Sequence, residues 1–171
     1  MDSAPRTIAV GLRVTIVDKV GAQGVDSDGQ SLRGLNVNAF PNAALVFVRN
    51  SNRMYRLKKN QAISIVEDTS GMDNVVNSIG SSATNGRWVA LVQMGIGTLA
   101  LTGESSPSAV VISGFDVNPG GWFHVSYTSF AGTPGSLRAE VDSETTVLVT
   151  SSSDTDQSGV FVTYYETPES E

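Results

Sequence analysis

The chain has 171 residues, 40% of them hydrophobic, which is enough apolar material for one good core or two small ones. Its net charge of -6 argues against binding to nucleic acid or anionic lipid, and the absence of cysteine excludes disulfides, thiolate metal sites and a cysteine nucleophile. Only 16% of the residues are charged, and the polarity comes mainly from Ser, Thr, Asn and 17 Gly, a mixture typical of strands and turns.

The N-terminal segment contains the clearest predicted strand. Residues 1–6 lack the basic and apolar regions of a secretory signal, and no apolar run reaches the roughly 18 residues of a membrane helix, so we expect a soluble protein made in the cytoplasm. Residues 7–18 alternate strictly between apolar and other side chains. The apolar positions are Ile8, Val10, Leu12, Val14 and Ile16. This period of two predicts a half-buried strand with these five side chains on the inner face.

Residues 21–66 predict a loop followed by a β-meander. The loop covers residues 21–38, which are rich in Gly, Asp, Gln and Asn. Strand-like runs follow at residues 43–49, 54–57 and 62–66. Between the first two runs, Asn50 and Asn52 can close a hairpin because asparagine tolerates positive φ.

Residues 70–80 predict one short helix. Apolar side chains recur there with helical spacing, at Met72, Val75, Val76 and Ile79. Ser70 is suited to the N-cap, and Gly80 lies where a glycine commonly ends a helix.

The second half of the chain has the pattern of a sandwich. Residues 87–93 close the first half, and Gly95-Ile96-Gly97 marks a joint. Six short strand-like runs follow at residues 98–102, 108–113, 121–128, 136–141, 145–150 and 159–165. Their regular spacing indicates a β-sandwich or jelly roll. We therefore expect an all-β fold, with a small N-terminal β module over residues 1–94 and a C-terminal sandwich or jelly roll over residues 98–171.

Few residues have the pattern of a catalytic site. His124 is the one histidine, and its place inside a predicted strand favours a surface or core position over a catalytic base. No Gly-x-Ser-x-Gly elbow supports a serine nucleophile. Glu140 and Glu144 could be drawn into a glycosidase carboxylate pair, but we expect both to face solvent on a sheet. The sequence therefore predicts no catalytic or cofactor-binding residues and a protein that is not an enzyme.

Two acidic turns are candidates for metal binding. Asp26 and Asp28 have the carboxylate density of a calcium loop but lack its third acidic position and its closing Glu. Asp154 and Asp156 are two apart in a turn, where such side chains usually bond local amides. We expect neither pair to hold a metal.

Two sets of side chains are candidates for binding other molecules. A basic hairpin concentrates five positive charges around one tyrosine, at Arg49, Arg53, Tyr55, Arg56, Lys58 and Lys59. It suits docking on an acidic protein surface, or protection of a sheet edge, better than nucleic-acid binding. Trp122 and Tyr127 are candidates for a sugar-stacking contact, although aromatic side chains equally serve cores and subunit interfaces.

Two parts of the sequence resemble virion proteins of tailed bacteriophages. Residues 40–48, 54–57 and 86–89 run from a prolyl turn through an apolar strand and an aromatic strand to Gly86-Arg87-Trp88. This order is similar to that of a small module in phage fibre, spike and head-appendage proteins. Residues 132–137 and 150–156, a Gly-Thr-Pro-Gly-Ser-Leu turn and a Ser-rich turn, resemble C-terminal β-sandwich domains of phage decoration and tail-associated proteins.

The resemblance implies assembly on a virion without catalysis. Together with the two-part layout, it implies a capsid decoration or cement protein whose N-terminal part grips the major capsid protein and whose sandwich is exposed. A symmetric oligomer, for which we expect a trimer, suits such a role. A head-fibre or tail-appendage component, and a carbohydrate-binding module for host attachment, are the alternatives.

Overall fold

The computed structural model describes residues 14–22, 29–59, 70–82, 84–103, 105–118 and 120–166. The described residues form eleven strands and one short 3-10 helix, Val37–Ala39. The strands are β1 (Val14–Val17), β2 (Leu45–Val48), β3 (Arg53–Lys58), β4 (Val75–Val76), β5 (Arg87–Ala90), β6 (Val92–Thr98), β7 (Ala109–Ser113), β8 (Trp122–Tyr127), β9 (Leu137–Ser143), β10 (Thr146–Ser151) and β11 (Gly159–Tyr165). No α-helix occurs among the described residues, and the predicted all-β class is confirmed.

The first five strands form one sheet in the order β1-β2-β3-β5-β4. Strand β1 runs parallel to β2, and the other pairs are antiparallel. The predicted hairpin between β2 and β3 is present, with Asn52 at a φ of 52° in its turn. Alternate side chains of these strands, together with Trp88, are fully buried and form the core of this sheet. The predicted run at residues 62–66 lies outside the described residues.

At the C-terminal end of β1, the side chain that faces the core is not the one that was predicted. Ile16 is 52% exposed, whereas Val17 is 2% exposed. The pairing with β2 explains the difference, because Val17 lies beside Val48 and both enter the core of the sheet. The prediction of an inward Ile16 is therefore wrong, and residues 7–13 lie outside the described part.

The helix predicted over residues 70–80 is also wrong. Val75 and Val76 form β4, the edge strand that pairs with β5. Gly71 and Asp73 both have positive φ, at 85° and 49°, which is incompatible with a right-handed helix. Two adjacent β-branched residues also favour the strand, because valine loses side-chain freedom in a helix.

The remaining six strands form a sandwich of two three-stranded sheets, β7-β10-β9 and β6-β11-β8. Their facing side chains, among them Ile112, Val147, Val149, Val160 and Val162, make a second core. Five predicted runs correspond to β7 to β11, whereas the run at 98–102 is not a separate strand. The described strands of these two sheets, three in each, form a sandwich and do not reach the eight strands of a jelly roll.

Gly95-Ile96-Gly97 is part of β6 and not a joint, which corrects the prediction. These residues pair with β11. A Cβ atom at Gly95 would lie 2.7 Å from side-chain carbons of both Ile112 and Phe115. The glycines therefore allow the two sheets to approach closely. The chain leaves the first sheet for the sandwich earlier, at Leu91 between β5 and β6, so the predicted run 87–93 is divided there.

Candidate functional site

The predicted basic hairpin is only partly available at the surface. Arg49 is exposed and pairs with Asp18 at 3.2 Å. Tyr55 is fully buried, and its hydroxyl donates a hydrogen bond to the Asp73 carbonyl at 3.0 Å. Lys59 follows the end of β3 and is half-buried. The three side chains therefore differ in exposure and contact different residues. They do not form one continuous basic surface.

Arg56 and Lys58 of the same hairpin point into a set of ionic contacts with the sandwich. The Nζ atom of Lys58 lies 2.5 Å from Asp116 Oδ2 and 2.8 Å from Glu166 Oε1. The guanidinium of Arg56 donates to the other oxygen of Glu166, also at 2.5 Å. Asn118 completes the group by donating its side-chain amide to Glu166 Oε1 at 2.7 Å. We call these five residues the junction cluster.

The junction cluster is buried and electrically balanced. The side chains of Lys58, Asp116 and Glu166 are 6%, 7% and 5% exposed. Two positive and two negative groups meet, so the charges compensate one another in a region of low dielectric. Asp116 lies in the loop after β7, and Glu166 is the first residue after β11. The cluster therefore ties β3 of the first sheet to two segments of the sandwich.

Neighbouring polar groups fix the backbone of the junction cluster. The buried side chain of Gln93 accepts from the backbone N–H of Asp116 at 2.7 Å and donates to its carbonyl at 2.9 Å. The Tyr164 hydroxyl similarly accepts from and donates to the backbone of Asn118, at 3.0 and 3.1 Å. Burial raises the pKa of Tyr164, and the negative charges of Glu166 and Asp116 add to that effect. The phenol therefore ionises at a higher pH than that of an exposed tyrosine.

Sequence reasoning identified the basic half of this cluster but missed the acidic half. Asp116 and Glu166 are far from Lys58 along the chain, so their proximity depends on the packing of two sheets. One local signal pointed to Asp116, since a carboxylate flanked by Phe115 and Val117 stands in an apolar segment. Charged side chains in such segments are usually paired.

A second contact joins the first sheet to β6. Arg53 donates to Met72 O, and to Asn74 Oδ1 at 2.9 Å and Val92 O at 2.8 Å. The Asn74 amide in turn accepts from Met94 N–H at 2.8 Å and donates to Met94 O at 2.6 Å. The contacts of Arg53 are therefore within the protein, where they join the first sheet to the sandwich.

The outward face of sheet β6-β11-β8 is mainly apolar, and the nine side chains that its strands place there include no Asp, Glu, Lys or Arg. Each strand contributes three side chains, and the strand registers place them in rows. The rows are Val92, Tyr165 and Trp122; Met94, Thr163 and His124; and Ile96, Phe161 and Ser126. Ile96 and Trp122 are each 55% exposed. We call this surface the aromatic face.

Trp122 and Tyr127, the predicted sugar-stacking pair, lie on opposite faces of β8. Trp122 belongs to the aromatic face and stacks on Tyr165, with ring centroids 4.0 Å apart and planes at 10°. Tyr127 points inward beside Val160 and packs against the second core. The structure does not bring these two candidates together, and the aromatic neighbour of Trp122 is Tyr165.

Tyr127 instead belongs to a hydrogen-bonded group around the fully buried Asp156. The carboxylate accepts from Ser151 Oγ at 2.6 Å, Tyr127 Oη at 2.7 Å and Ser158 N at 3.0 Å. Burial alone would raise the pKa of Asp156, but these donors together hold it well below its ordinary value. Burial and the neighbouring carboxylate raise the pKa of Tyr127. This group fastens the turn at Gly135 to the turn before β11, in agreement with a turn-forming role for Asp156.

The described residues contain little else that could support chemistry. No group of three His, Asp or Glu among them is placed to hold a metal ion. His124 is exposed on β8, Glu140 pairs with Arg138 at the surface, and Glu144 is exposed. The candidate calcium residues Asp26 and Asp28 lie outside the described part. Within that part, no helix is both long and apolar enough to span a membrane.

No protein-family model matches this chain, and neither does any curated protein or solved structure at a significant level. A function for the chain therefore depends on its own geometry and on the sequence resemblance described above.

Proposed function

We propose that the chain is a non-enzymatic structural protein of a bacteriophage particle, a decoration protein that binds the outer surface of the capsid. The single observation that carries this proposal is the aromatic face. Its chemistry is that of an interface core, where aromatic residues and Met are enriched and charged residues are depleted. An apolar sheet face with Ile96 and Trp122 both 55% exposed suits burial against a neighbouring protein.

The ionic contacts support a change in the expected docking surface. Arg56 and Lys58 are engaged with Glu166 and Asp116, and Arg53 is engaged with Asn74. Charges held in this way are poorly suited to gripping an acidic partner. In the proposal, the basic hairpin stabilises the protein itself, and the aromatic face binds the major capsid protein.

The connection between the two parts also suits a particle accessory. The first sheet and the sandwich are joined by the junction cluster and by the contacts of Arg53 and Asn74 with β6. In the proposal, these contacts keep the two parts together while the protein is bound to capsid subunits. A symmetric oligomer, expected as a trimer, would place equivalent aromatic faces toward equivalent capsid subunits.

Binding to purified expanded heads tests the proposal. Ile96→Asp adds a charge to the aromatic face, and we expect at least a tenfold loss of binding in co-sedimentation. Val111→Asp is the matched control, because Val111 is 54% exposed on a strand of the other sheet. Binding of Ile96→Asp equal to that of the unsubstituted protein would contradict the use of this face. Copies confined to the tail, counted on purified particles, would instead favour the head-fibre or tail-appendage role.

A carbohydrate-binding role for host attachment is a second candidate, favoured by the exposed Trp122 ring on Tyr165. The free side of that indole could cover the apolar face of a sugar. Binding on a glycan array should then be lost in Trp122→Ala and retained in Phe130→Ala, whose ring is 73% exposed elsewhere. An array without signal for the unsubstituted protein would eliminate this candidate.

A further inference from the structure

The junction cluster brings an amine, a carboxyl group and a second carboxylate into contact in a buried site. Lys58 Nζ lies 2.5 Å from Asp116 Oδ2 and 2.8 Å from Glu166 Oε1. We propose that Lys58 and Asp116 react within the folded chain to form an amide bond between their side chains, with Glu166 carrying the proton. This inference is independent of the proposed role on a particle.

The reaction needs no other reagent. Transfer of one proton from the Lys58 ammonium to the Asp116 carboxylate gives a neutral amine and a carboxylic acid. The amine lone pair then attacks Asp116 Cγ, forming the C–N bond and a tetrahedral intermediate. Glu166 accepts a proton from the attacking nitrogen and returns it to the departing hydroxyl, so that the C–O bond breaks and water leaves. An ammonium and a carboxylate become an amide and water, without oxidation or reduction.

Proximity favours the bond-forming step. An amine 2.5 Å from one carboxyl oxygen is close to the carboxyl carbon, and reactive geometries have the two reacting atoms about 3–3.5 Å apart. Gln93 donates to the carbonyl of Asp116 and accepts from its backbone N–H, and these two hydrogen bonds limit the movement of Asp116. Intramolecular reactions with this kind of orientation reach effective concentrations of about 10⁵ M or more.

The surroundings of Glu166 favour its role as proton carrier. One oxygen is held by Arg56 and the other by Asn118, so the carboxylate is fixed beside Lys58 Nζ. The three reacting side chains are each 7% exposed or less, which limits the water available to hydrolyse the product. After the reaction Glu166 is again ionised and still paired with Arg56, so no charge is left without a partner.

The product would be a covalent cross-link between the first sheet and the sandwich. Lys58 ends β3, and Asp116 lies in the loop after β7. A chain without cysteine cannot form a disulfide, and this amide would restrict the unfolded chain in the same way. The cross-link would therefore resist separation of the two parts under heat or force.

The mass of the denatured full chain tests the proposal directly. We expect a mass lower than that of the sequence by one water molecule, and tandem mass spectrometry of a digest should find one branched peptide joining Lys58 to Asp116. A chain with the full sequence mass, or a water loss that maps to other residues, would overturn the proposal.

Two substitutions test the identity of the bond and the role of the proton carrier separately. Lys58→Arg keeps a positive charge beside Asp116 but supplies no reactive amine, so the full sequence mass of that variant is expected. Glu166→Gln removes the proton carrier and keeps one acceptor oxygen, which can serve Arg56 or Asn118 but not both. We expect at least a tenfold smaller cross-linked fraction by mass spectrometry, in protein whose folding is verified by circular dichroism.

Glu140→Gln is the matched control, because Glu140 is paired with Arg138 at the surface. We expect the Glu140→Gln protein to show the same complete loss of one water molecule as the unsubstituted protein. Water loss in Lys58→Arg would overturn the assigned bond. Complete cross-linking in folded Glu166→Gln would overturn the role of Glu166.

Discussion

The side-chain amide of Asn74 binds both backbone polar groups of Met94, accepting from its N–H at 2.8 Å and donating to its carbonyl at 2.6 Å. It thus takes the place of a neighbouring strand at the edge of β6. A free strand edge invites pairing with other chains, so this contact also protects the sandwich.

Removal of this amide should destabilise the protein. Asn74→Ala leaves the Met94 groups without their partner in a seam where Asn74 is fully buried, and we expect a loss of about 2 kcal/mol in the free energy of unfolding, measured with urea. Asn50→Ala is the control, since Asn50 is exposed in the hairpin turn, and it should cost less than about 0.5 kcal/mol. Equal effects of the two substitutions would contradict the assigned role.

The Asp156 group predicts the response to acid. Because its folded pKa lies below the unfolded value of about 3.9, the carboxylate stabilises the fold fully above that pH, and this contribution is lost as pH falls toward the folded pKa. The stability difference between the unsubstituted protein and Asp156→Asn should be about 2–3 kcal/mol at pH 7 and shrink below pH of about 4. If the stability difference between the two proteins stays constant between pH 7 and pH 2, the donors do not stabilise the charged form of Asp156.

Tyr127 predicts the response to alkali. Its pKa is raised, so its contribution to stability is complete below about pH 10, the unfolded value, and is lost as pH rises through the folded value. Ultraviolet titration should show Tyr127 ionising later than an exposed phenol. The titration of Tyr127→Phe lacks the Tyr127 phenol, so the difference between the two curves is the ionisation of that phenol. If the difference curve has its midpoint near pH of about 10, the ordinary value, the prediction is contradicted.

Gly95 tests the close approach of the sandwich sheets. In Gly95→Ala the new methyl group meets Ile112 and Phe115 at 2.7 Å, which should cost about 1–3 kcal/mol through displaced core side chains. Gly29→Ala is the control, because a Cβ atom there would have nothing within 4 Å. Thermal unfolding of both variants gives the comparison. An unchanged midpoint for Gly95→Ala would mean that the sheets adjust freely.

Local patterns predicted the strands of the sandwich well. Residues 137–141 alternate between apolar and charged side chains, and they lie in β9. Such strands depend on a period of two that is present in the residues themselves. Val75 and Val76 lack that information, because their spacing also fits a helix and only the pairing with β5 decides between the two. Gly95 was ambiguous for a similar reason, since a glycine pair is typical of both a turn and a close sheet contact.

The candidate site was less predictable, because its contacts cross between sheets. The basic residues around Tyr55 were visible as a group, but the acidic partners of Arg56 and Lys58 come from the ends of distant strands. Likewise, alternation places Trp122 and Tyr127 on opposite faces of β8, but only the strand register shows Tyr165 beside Trp122. Pairing between distant segments is a property of the whole fold.

Burial should decide the strength of two other ion pairs in the first part of the chain. The side chains of Arg33 and Asp73, whose charged atoms are 3.1 Å apart, are 1% and 33% exposed, whereas those of Arg49 and Asp18 are 64% and 58% exposed at 3.2 Å. Exposed pairs contribute little because water and salt screen them, but removing one partner of a buried charge leaves the other poorly solvated.

Double-mutant cycles measure this difference. We expect a coupling of about 2 kcal/mol for Arg33→Met with Asp73→Asn, and less than about 0.5 kcal/mol for Arg49→Met with Asp18→Asn. Asn is suitable at position 73 because it tolerates the positive φ found there. High salt should reduce the second coupling more than the first, since screening acts mainly on exposed charges. Equal couplings at low salt would mean that the burial of Arg33 adds nothing to the pair.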